Sequence, residues 1–428
     1  MKMREIRELM RRPPRERDRV QRKLSRCHDI GDLRDAARRT LPRAVFDYVD
    51  GGADEEISIA ANSDAFRNYS FIPRAMRPVG QVSLATRFLS ADVDAPIGLA
   101  PTGYTRLVSP AGEPAVARAA AACGVPYALS TVGTTTIEEL AGIGHPGLWF
   151  QLYVLRDRGL TWSLLERAAA AGVAVLEVSV DTAVSGRRLR DVRNGFTIPP
   201  ALTFRTITDI AVHPRYWTGM ITSPPLRFAS LVTRPSDGPP TIADITSLFD
   251  PDVSWDCLAG IRERWPGRLL IKGPLGPADV ERAIQIGADG VHLSNHGGRQ
   301  LDRTIPPVEL IRPLRERVGD RCAIAVDSGI RHGADALVAL ARGADLCMVG
   351  RAYLYGLAAG GEAGVRRSIE LLIDQLRRTM QLCGVSTLPD LREHADEIVV
   401  PAAGASGGRR TDRRRSGGAG RRTRGVAR

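Results

Sequence analysis

Eight short apolar segments, separated by alanine-rich helical stretches, constrain the fold of this chain more than any other feature. The segments lie at 95–99, 127–129, 148–154, 175–180, 269–272, 291–294, 323–326 and 346–349, and the clearest helical stretches are 113–122, 164–171, 278–286 and 333–341. Strands that alternate with helices predict an α/β fold with a parallel sheet, and eight such strands close a (β/α)8 TIM barrel. A doubly wound open sheet is the alternative, but the recurring helix–glycine–strand joint, as in Gln-Ile-Gly-Ala-Asp-Gly-Val (285–291), favours the barrel.

Three further regions surround these repeated units. Apolar residues at near-helical spacing predict an N-terminal helix over 29–50 that ends at Gly51-Gly52, and Asp54-Glu55-Glu56 should open a second helix. A long insert after the fourth strand, about 186–255, contains three Pro-Pro pairs, and we expect it to form a lid or docking segment over the barrel mouth. After Glu362, an amphipathic helix should pack on the barrel.

The net charge of +12 belongs to the two ends of the chain. Residues 1–26 carry eleven Lys or Arg against four acids, and residues 401–428 carry nine Arg against one Asp, so the body between them is slightly acidic. We therefore predict a basic disordered arm at 1–28, one catalytic domain at 29–400 and an Arg/Gly-rich disordered tail at 401–428. The ends could contact anionic lipid, and no nucleic-acid-binding module is recognisable in the body.

The cysteines and the hydrophobic profile point to the cytoplasm. Six scattered cysteines without a Cys-x-x-Cys pair predict reduced thiols rather than a disulfide framework or a zinc site. The chain contains no long uninterrupted apolar run and no hydrophobic signal core, so we expect neither a spanning helix nor export. Peripheral contact with the inner face of the cell membrane is compatible with this expectation.

Polar or small residues follow each predicted strand, at the barrel face where (β/α)8 enzymes carry their chemistry. Singly, each has a plain structural explanation, such as a helix cap or a surface lysine, but the same pattern at eight strand ends is much less expected by chance. Gln151 and Tyr153 point the same way because strand side chains alternate. In chain order the residues are Pro101-Thr102-Gly103, Ser130, Gln151 and Tyr153, Ser179, Lys272, His296 and Arg299, Asp327-Ser328-Gly329 with Arg331, and Gly350-Arg351.

Two of these groups indicate particular chemistry. His296 lies in a glycine-rich turn and can take a proton near neutral pH, while Arg299 can grip a carboxylate through two hydrogen bonds. A satisfied loop histidine beside a surface arginine is the plain alternative. Glycines with Arg331 and Arg351 after the last two strands match the usual barrel phosphate site, which indicates a phosphate-anchored planar cofactor such as FMN. No metal site is expected.

Six stretches of the chain resemble the FMN-dependent α-hydroxy-acid oxidases and dehydrogenases over roughly residues 29–400, and most of all the bacterial respiratory L-lactate dehydrogenase type. They are Leu-Pro-Arg-Ala-Val-Phe-Asp-Tyr (41–48), Trp-Phe-Gln-Leu-Tyr-Val-Leu-Arg-Asp-Arg-Gly (149–159), Phe-Asp-Pro-Asp-Val-Ser-Trp (249–255), Ser-Asn-His-Gly-Gly-Arg-Gln-Leu-Asp (294–302), Asp-Ser-Gly-Ile-Arg (327–331) and Gly-Arg-Ala-Tyr-Leu-Tyr (350–355).

This resemblance implies the FMN-dependent oxidation of an (S)-2-hydroxy acid, with L-lactate to pyruvate as the leading expectation and a quinone or cytochrome as electron acceptor. It also implies a homotetramer. Another 2-hydroxy acid, such as glycolate or mandelate, or an oxidase that reduces oxygen, is the alternative within the family. Outside it, the alternatives are a barrel isomerase or phosphosugar enzyme, and a binder of acidic surfaces that acts through the basic ends.

The resemblance also implies roles for residues at the substrate. His296 would be the base that takes a proton from the substrate, and Asp327 would hydrogen-bond His296 and stabilise the imidazolium. Tyr153 would contact the 2-hydroxyl group. The substrate carboxylate would be bound by Tyr48, Arg188 and Arg299.

The remaining implied roles concern FMN. Gly103 stands where oxidases of the family usually have alanine, and a missing methyl group near flavin N5 can alter oxygen access, which favours a dehydrogenase. Ser179 replaces a common threonine, and Ser328 replaces a frequent glycine. Lys272 would lie by N1 and O2 of the ring, with Asp327 nearby; Pro101, Thr102, Gly103, Ser130, Gln151 and Ser179 would hold the isoalloxazine; and Ser328, Gly329, Arg331, Gly350 and Arg351 would hold the ribityl chain and phosphate.

Overall fold

The eight predicted strands close into a parallel barrel in the computed structural model, which describes residues 18–89, 91–195, 208, 212–231 and 247–402. Strands β4 to β11 pair in sequence order, and β11 pairs with β4 to complete the barrel. The predicted (β/α)8 barrel is therefore confirmed, and the open sheet is wrong. The strands are β1 (Tyr69–Phe71), β2 (Thr86–Phe88), β3 (Ala91–Val93), β4 (Ile97–Leu99), β5 (Tyr127–Ser130), β6 (Leu148–Tyr153), β7 (Val175–Ser179), β8 (Arg268–Gly273), β9 (Gly290–Leu293), β10 (Ala323–Val326), β11 (Leu346–Val349) and β12 (Val399–Pro401).

Helices surround the barrel and extend it at both ends. They are α1 (Arg19–Leu24), α2 (Ile30–Thr40), α3 (Arg43–Asp50), α4 (Ile57–Arg67), α5 (Thr105–Val108), α6 (Gly112–Ala122), α7 (Ile137–Ala141), α8 (Arg158–Ala170), α9 (Leu189–Asn194), α10 (Pro214–Ile221), α11 (Trp255–Arg264), α12 (Pro277–Gln285), α13 (Pro307–Val318), α14 (Gly333–Ala341), α15 (Arg351–Cys383), α16 (Leu388–Glu393) and α17 (Ala395–Ile398). Within the described residues, no helix is both long and apolar enough to span a membrane.

The barrel interior changes from apolar to polar along the strands. Its amino-terminal half is filled by apolar side chains, among them Trp149, which stacks on Phe88 of the short β2–β3 hairpin with 5.6 Å between ring centroids. Further along the strands, the register places Ser179 of β7 opposite Lys272 of β8, and Lys272 opposite His292 of β9. A polar layer therefore lies between the apolar core and the mouth of the barrel.

The N-terminal extension differs from the single helix predicted over 29–50. It forms two helices, α2 and α3, that are separated at Leu41-Pro42. The prediction was wrong because a proline disfavours the helical conformation of the residue before it and cannot donate the next helical hydrogen bond. The three acids 54–56 precede α4 rather than form its first turn, and Glu56 is left-handed with φ +63°.

The helix predicted after Glu362 is the second half of α15, which is kinked at Gly360 and Gly361. Its predicted apolar face is buried and packs on α2, α6 and α14 outside the barrel, as expected: Ile369, Leu372, Leu376 and Met380 are all fully buried.

The ends and the insert are described only in part. Leu24 of α1 and Cys27 are buried, and Arg367 of α15 donates to the Cys27 carbonyl at 2.9 Å, so this part of the predicted arm packs on the barrel unit. Residues 1–17 and the tail from 403 onward lie outside the described residues, as do most of 196–211 and all of 232–246. Phe228 and Phe249 of the insert reach the barrel mouth.

Candidate active site

A cavity opens at the carboxyl ends of the barrel strands and gathers most of the predicted site residues. Part of its wall comes from the insert, through Phe228 and Phe249, and part from the loop after β4, through Tyr104. The predicted residues that line the cavity are Tyr48, Pro101, Thr102, Gly103, Tyr153, Arg188, Lys272, His296, Arg299, Asp327, Ser328, Gly329, Arg331, Gly350 and Arg351.

Three predicted residues, Ser130, Gln151 and Ser179, lie deeper than the cavity lining. They form a hydrogen-bonded chain in the barrel, in which Ser130 donates to the Gln151 amide oxygen at 3.0 Å and the Gln151 amide nitrogen donates to Ser179 at 3.1 Å. All three are buried. Neighbouring side chains thus satisfy these polar groups, which removes the cost of placing them inside a barrel.

His296 is held in a strained turn that fixes the direction of its ring. Its φ is +58°, and Gly297 and Gly298 continue the left-handed path at +65° and +73°. Nε2 of the imidazole lies 3.3 Å from the Tyr153 hydroxyl, and Nδ1 lies 3.1 Å from the nearer oxygen of Asp181. One ring nitrogen therefore faces a carboxylate and the other faces the cavity side, which suits a base that becomes positively charged.

The carboxylate beside His296 is Asp181, not Asp327 as predicted. Asp327 instead contacts Lys272 at 3.5 Å and His292 at 3.2 Å, because its side chain turns into the barrel beside these buried cations. Asp181 follows β7 and reaches the turn that carries His296. Burial would raise the pKa of Asp181, but the neighbouring His296 and Lys272 together more than offset this effect, and the pKa is lowered.

Lys272 brings a buried positive charge to the cavity. Burial opposes the charge, but the carboxylates of Asp327, Glu177 and Asp181 more than compensate, so the pKa of Lys272 is raised. Burial also raises the pKa of Tyr153, which therefore keeps its hydroxyl proton. The cavity thus offers a fixed cation and a hydrogen-bond donor at neutral pH.

Three guanidinium groups at the cavity lack a carboxylate partner. Arg299 donates to main-chain oxygens of residues 48–51 at 2.6 and 3.0 Å, and Arg351 donates to the same segment and to Gly297 at 2.8 to 3.0 Å. In the described part of the chain, no carboxylate lies within 4.0 Å of Arg299, Arg331 or Arg351. Burial and the nearby Arg299 lower the pKa of Arg351 to about 10. This excess of positive charge calls for bound anions.

The ring of Tyr48 lies close to both arginines that were predicted to bind the substrate carboxylate. The guanidinium carbons of Arg299 and Arg188 lie 5.0 and 5.7 Å from its ring centroid. Arg188 is also paired with Asp191 at 2.7 Å. The structure therefore brings together the three residues predicted to bind the substrate carboxylate.

The other end of the cavity fits a phosphate group. Gly350 is the N-cap of α15, and the N–H groups of a first helical turn have no acceptor within the helix. Arg331 and Arg351 line the same cavity. Gly329 permits the close approach of its loop to α4, because its φ is +97° and a Cβ atom there would lie 2.1 Å from the Asn62 carbonyl oxygen.

Together these features fit FMN better than a metal centre. Small residues 101–103, a buried ammonium group and a cationic helix N-terminus match a flat ring, its electron-rich edge and a phosphate tail. Among the described residues, no three His, Cys, Asp or Glu side chains are grouped so as to hold a metal ion.

Sequence reasoning missed Asp181, Glu177 and His292 as parts of the site. Asp181 carries the same signal as the residues that were chosen, a polar group at the end of a strand. Glu177 and His292 interrupt otherwise apolar strands, and that interruption was the signal for a buried interaction.

Comparison with known proteins places the chain in a family. A model described as FMN-dependent dehydrogenase matches residues 37–397. The chain belongs to the FMN-dependent dehydrogenase family. A putative L-lactate dehydrogenase of Mycobacterium tuberculosis is 47% identical over 376 residues, covering 87% of this chain and 90% of the relative. An L-lactate dehydrogenase of Caulobacter vibrioides is 40% identical, over 87% and 98% of the two chains.

Solved structures of the family share the fold. The crystal structure of the monotopic membrane protein (S)-mandelate dehydrogenase superposes with a TM-score of 0.82 at 34% identity, covering 88% of this chain and 100% of that one. A mandelate oxidase structure gives a TM-score of 0.74 at 36% identity, over 86% and 97% of the two chains. This FMN-dependent dehydrogenase therefore has relatives that act on acids of quite different size.

Proposed function

We propose that this FMN-dependent dehydrogenase oxidises an (S)-2-hydroxy acid to the 2-oxo acid, with L-lactate to pyruvate as the leading reaction. The observation that carries the proposal is a single cavity that is lined by His296 together with Arg299, Arg331 and Arg351, with Asp181 in contact with the His296 ring. Relatives named L-lactate dehydrogenase, 40 and 47% identical over most of their length, support lactate as the substrate. FMN, when bound, supplies the two-electron acceptor.

The residues around the substrate have distinct roles in this proposal. His296 takes the proton from the substrate, and Asp181 stabilises the resulting imidazolium. Tyr153 donates a hydrogen bond to the 2-hydroxyl oxygen, where negative charge develops during the oxidation. The carboxylate of the acid is bound by Arg299 and Arg188, with the Tyr48 hydroxyl beside them.

The cofactor roles follow the same geometry. Lys272 would bring its positive charge to the N1 and O2 edge of the ring, and Asp327, 3.5 Å away, would fix the position of its ammonium group. The ring, ribityl chain and phosphate would be held by Pro101, Thr102, Gly103, Ser328, Gly329, Arg331, Gly350 and Arg351, with the hydrogen-bonded residues Ser130, Gln151 and Ser179 beneath them.

We propose a quinone or cytochrome, rather than oxygen, as the electron acceptor. At Gly103, a Cβ atom would lie 2.6 Å from Cγ2 of Val132, so the alanine usual in oxidases is sterically opposed here. A quinone acceptor would bring the enzyme to the membrane, and the basic ends of this otherwise slightly acidic chain could provide that contact. We further propose a cytoplasmic homotetramer whose catalytic domain spans residues 29–400.

A larger acid is the second candidate substrate. Its support is the apolar wall of the cavity, which includes Tyr104, Val108, Val132, Phe228 and Phe249, together with the similarity to mandelate dehydrogenase and mandelate oxidase structures. An aromatic side chain would find packing partners on this wall.

Anaerobic bleaching of the flavin tests the function. Under argon, purified yellow protein should lose its flavin absorption with L-lactate but not with D-lactate, and glycolate and (S)-mandelate rank the side-chain preference. Faster reoxidation by a quinone analogue than by oxygen would support the dehydrogenase. No bleaching by any 2-hydroxy acid, or unchanged activity in both His296→Ala and Arg299→Ala, would contradict the proposal and favour a different barrel chemistry.

A further inference from the structure

Four ionisable side chains form a continuous buried chain directly below the cavity. The Glu177 carboxylate lies 2.7 Å from Nδ1 of His292, and Nε2 of His292 lies 3.2 Å from Asp327, which in turn lies 3.5 Å from Nζ of Lys272. Glu177 and His292 have 0% side-chain exposure. Of the four residues, only Lys272 and Asp327 line the cavity, so the other two act on it from inside the barrel.

The surroundings of His292 favour a positively charged ring. Its Nδ1 is hydrogen-bonded to Glu177 at 2.7 Å, and its Nε2 lies 3.2 Å from an oxygen of Asp327, a close charge contact without hydrogen-bond alignment. Burial opposes the charge, but Glu177 and Asp327 together more than offset it and raise the pKa of His292 to about 9. Lys272 is the other cation at Asp327, and it stays charged as well.

Asp327 is therefore shared between two cations. Without His292, the negative charge of Asp327 would offset only the positive charge of Lys272. The ammonium group would then present little net charge to the cavity. With His292 behind it, the carboxylate is already compensated on its inner side. Asp181 and Tyr153 are the other ionisable groups that act on Lys272, and both favour its charged form.

The buried Glu177–His292 pair is not needed to fill the barrel. Replacing a buried ion pair by apolar residues of similar volume is often neutral or stabilising, so a buried pair is weak evidence of a purely structural role. The amino-terminal half of this barrel is filled by apolar side chains. A charged pair placed against Lys272 therefore points to a role in the cavity.

We propose that Glu177 and His292 are positioning residues that raise the reduction potential of the bound flavin. Glu177 keeps His292 protonated, His292 offsets part of the charge of Asp327, and more of the positive charge of Lys272 would then act on the electron-rich edge of the ring. This inference rests on the proposed function, because it uses the placement of FMN beside Lys272.

The test compares holoenzymes of three variants. Glu177→Val combined with His292→Val removes the pair without leaving a lone buried charge, and Glu177→Gln removes only the carboxylate charge farthest from the cavity. Glu113→Gln is the matched control. Glu113 is also a fully buried carboxylate, but it accepts hydrogen bonds from Thr134 and Thr135 and has no contact with Glu177, His292, Asp327 or Lys272. The measurements are the midpoint potential of the flavin and its affinity for sulfite, whose adduct places negative charge at the N1 edge.

In the double variant, the midpoint potential should fall and the sulfite dissociation constant should rise roughly tenfold, the effect of about one pKa unit of lost interaction. The control should match the wild type. In Glu177→Gln, the part of the pH dependence of the potential that is due to His292 should move to lower pH than in the wild type, because the pKa of His292 then falls toward its ordinary value.

Unchanged potential and sulfite affinity in the folded variants would overturn the inference and leave the pair a structural one. If the double variant does not fold, ¹⁵N signals of the histidines in the wild-type protein decide, since a neutral His292 at pH 7.5 also overturns it. Failure of the proposed function looks different: the flavin would remain oxidised with every 2-hydroxy acid, while its potential would still respond to the variants.

Discussion

At the scale of single residues, the candidate site depends on the orientation of a few side chains. His296 is left-handed, a conformation that costs free energy for a non-glycine residue and persists only where the surroundings enforce it. Its ring lies between Tyr153 and Asp181 at hydrogen-bond distances. The strained turn thus holds the imidazole in one direction. A proton acceptor needs such a fixed direction toward its substrate.

Asp181→Asn should lower kcat by roughly 100-fold or more, because an amide stabilises the imidazolium far less than a carboxylate does. FMN content should stay near that of the wild type. Stopped-flow flavin reduction by L-lactate measures the effect, with Asp289→Asn as the control, since Asp289 pairs with Arg262 and Arg268 at the amino end of β9. Equal losses in the two variants would contradict the role of Asp181.

Arg299→Lys should lower kcat/KM for the hydroxy acid by roughly 10- to 100-fold, since hydrogen bonds between charged groups contribute about 1.5–3 kcal/mol. The ammonium group keeps the charge but cannot bind a carboxylate through two parallel hydrogen bonds. Arg303→Lys is the control, because Arg303 pairs with Glu55 on the surface and both side chains are largely exposed. Steady-state kinetics with L-lactate measure kcat/KM for both variants. Equal values of kcat/KM would contradict the role of Arg299 in binding the substrate carboxylate.

At the scale of elements, the loop after β10 joins the barrel to the N-terminal extension. Its Gly329 approaches α4 so closely that no side chain fits, and the same loop carries Ser328, which donates to Asp327 at 2.6 Å. The position of this loop therefore sets where Asp327, Ser328 and Arg331 line the cavity.

Gly329→Ala should weaken FMN binding and lower stability by more than the ~1–3 kcal/mol of a strained backbone, because the added methyl group also meets the Asn62 carbonyl. Gly319→Ala is the matched control: its φ is +55°, also left-handed, but a Cβ atom there meets nothing within 4 Å. FMN titration of the apoprotein and thermal unfolding measure the two effects. Equal losses in both variants would show that close approach to α4 is unimportant.

The elements of the barrel were predictable because its strands are buried on both faces and read as short continuous apolar runs. All eight predicted segments overlap β4 to β11, and 323–326 and 346–349 match in full. The break at Pro42 was readable from local chemistry but was overlooked. The residues at the strand ends were predictable as a set, since parallel strands bring their carboxyl ends to one face.

Partners across the barrel could not be predicted in the same way. Asp181 and Asp327 both follow strands, and only the packed structure shows which carboxylate turns toward His296. Glu177 of β7 and His292 of β9 meet across the interior although β8 lies between their strands. Such contacts depend on the curvature of the closed sheet, and one sequence carries no direct record of it.

At the scale of the whole molecule, buried ionisable groups make the free energy of unfolding depend on pH. Asp181 and Asp327 have lowered pKa values, so the stability they contribute is present above about pH 4 and is lost as the pH falls. His292 has a raised pKa, so its contribution is complete below its unfolded value of 6.5. Burial lowers the pKa of His145 to about 4, so its contribution is lost as the pH falls below 6.5, and the fold should be most stable near pH 6.5.

Between pH 6.5 and about 9, the His292 contribution should disappear as the pH rises. A shift from 6.5 to about 9 corresponds to about 3 kcal/mol of unfolding free energy. Urea unfolding at several pH values should show this decline in the wild type but not in the Glu177→Val, His292→Val double variant, which retains every titrating group except these two. Parallel pH profiles for the two proteins would mean that His292 is neutral in the folded state, because only a group that binds its proton more tightly when folded makes folding favour low pH.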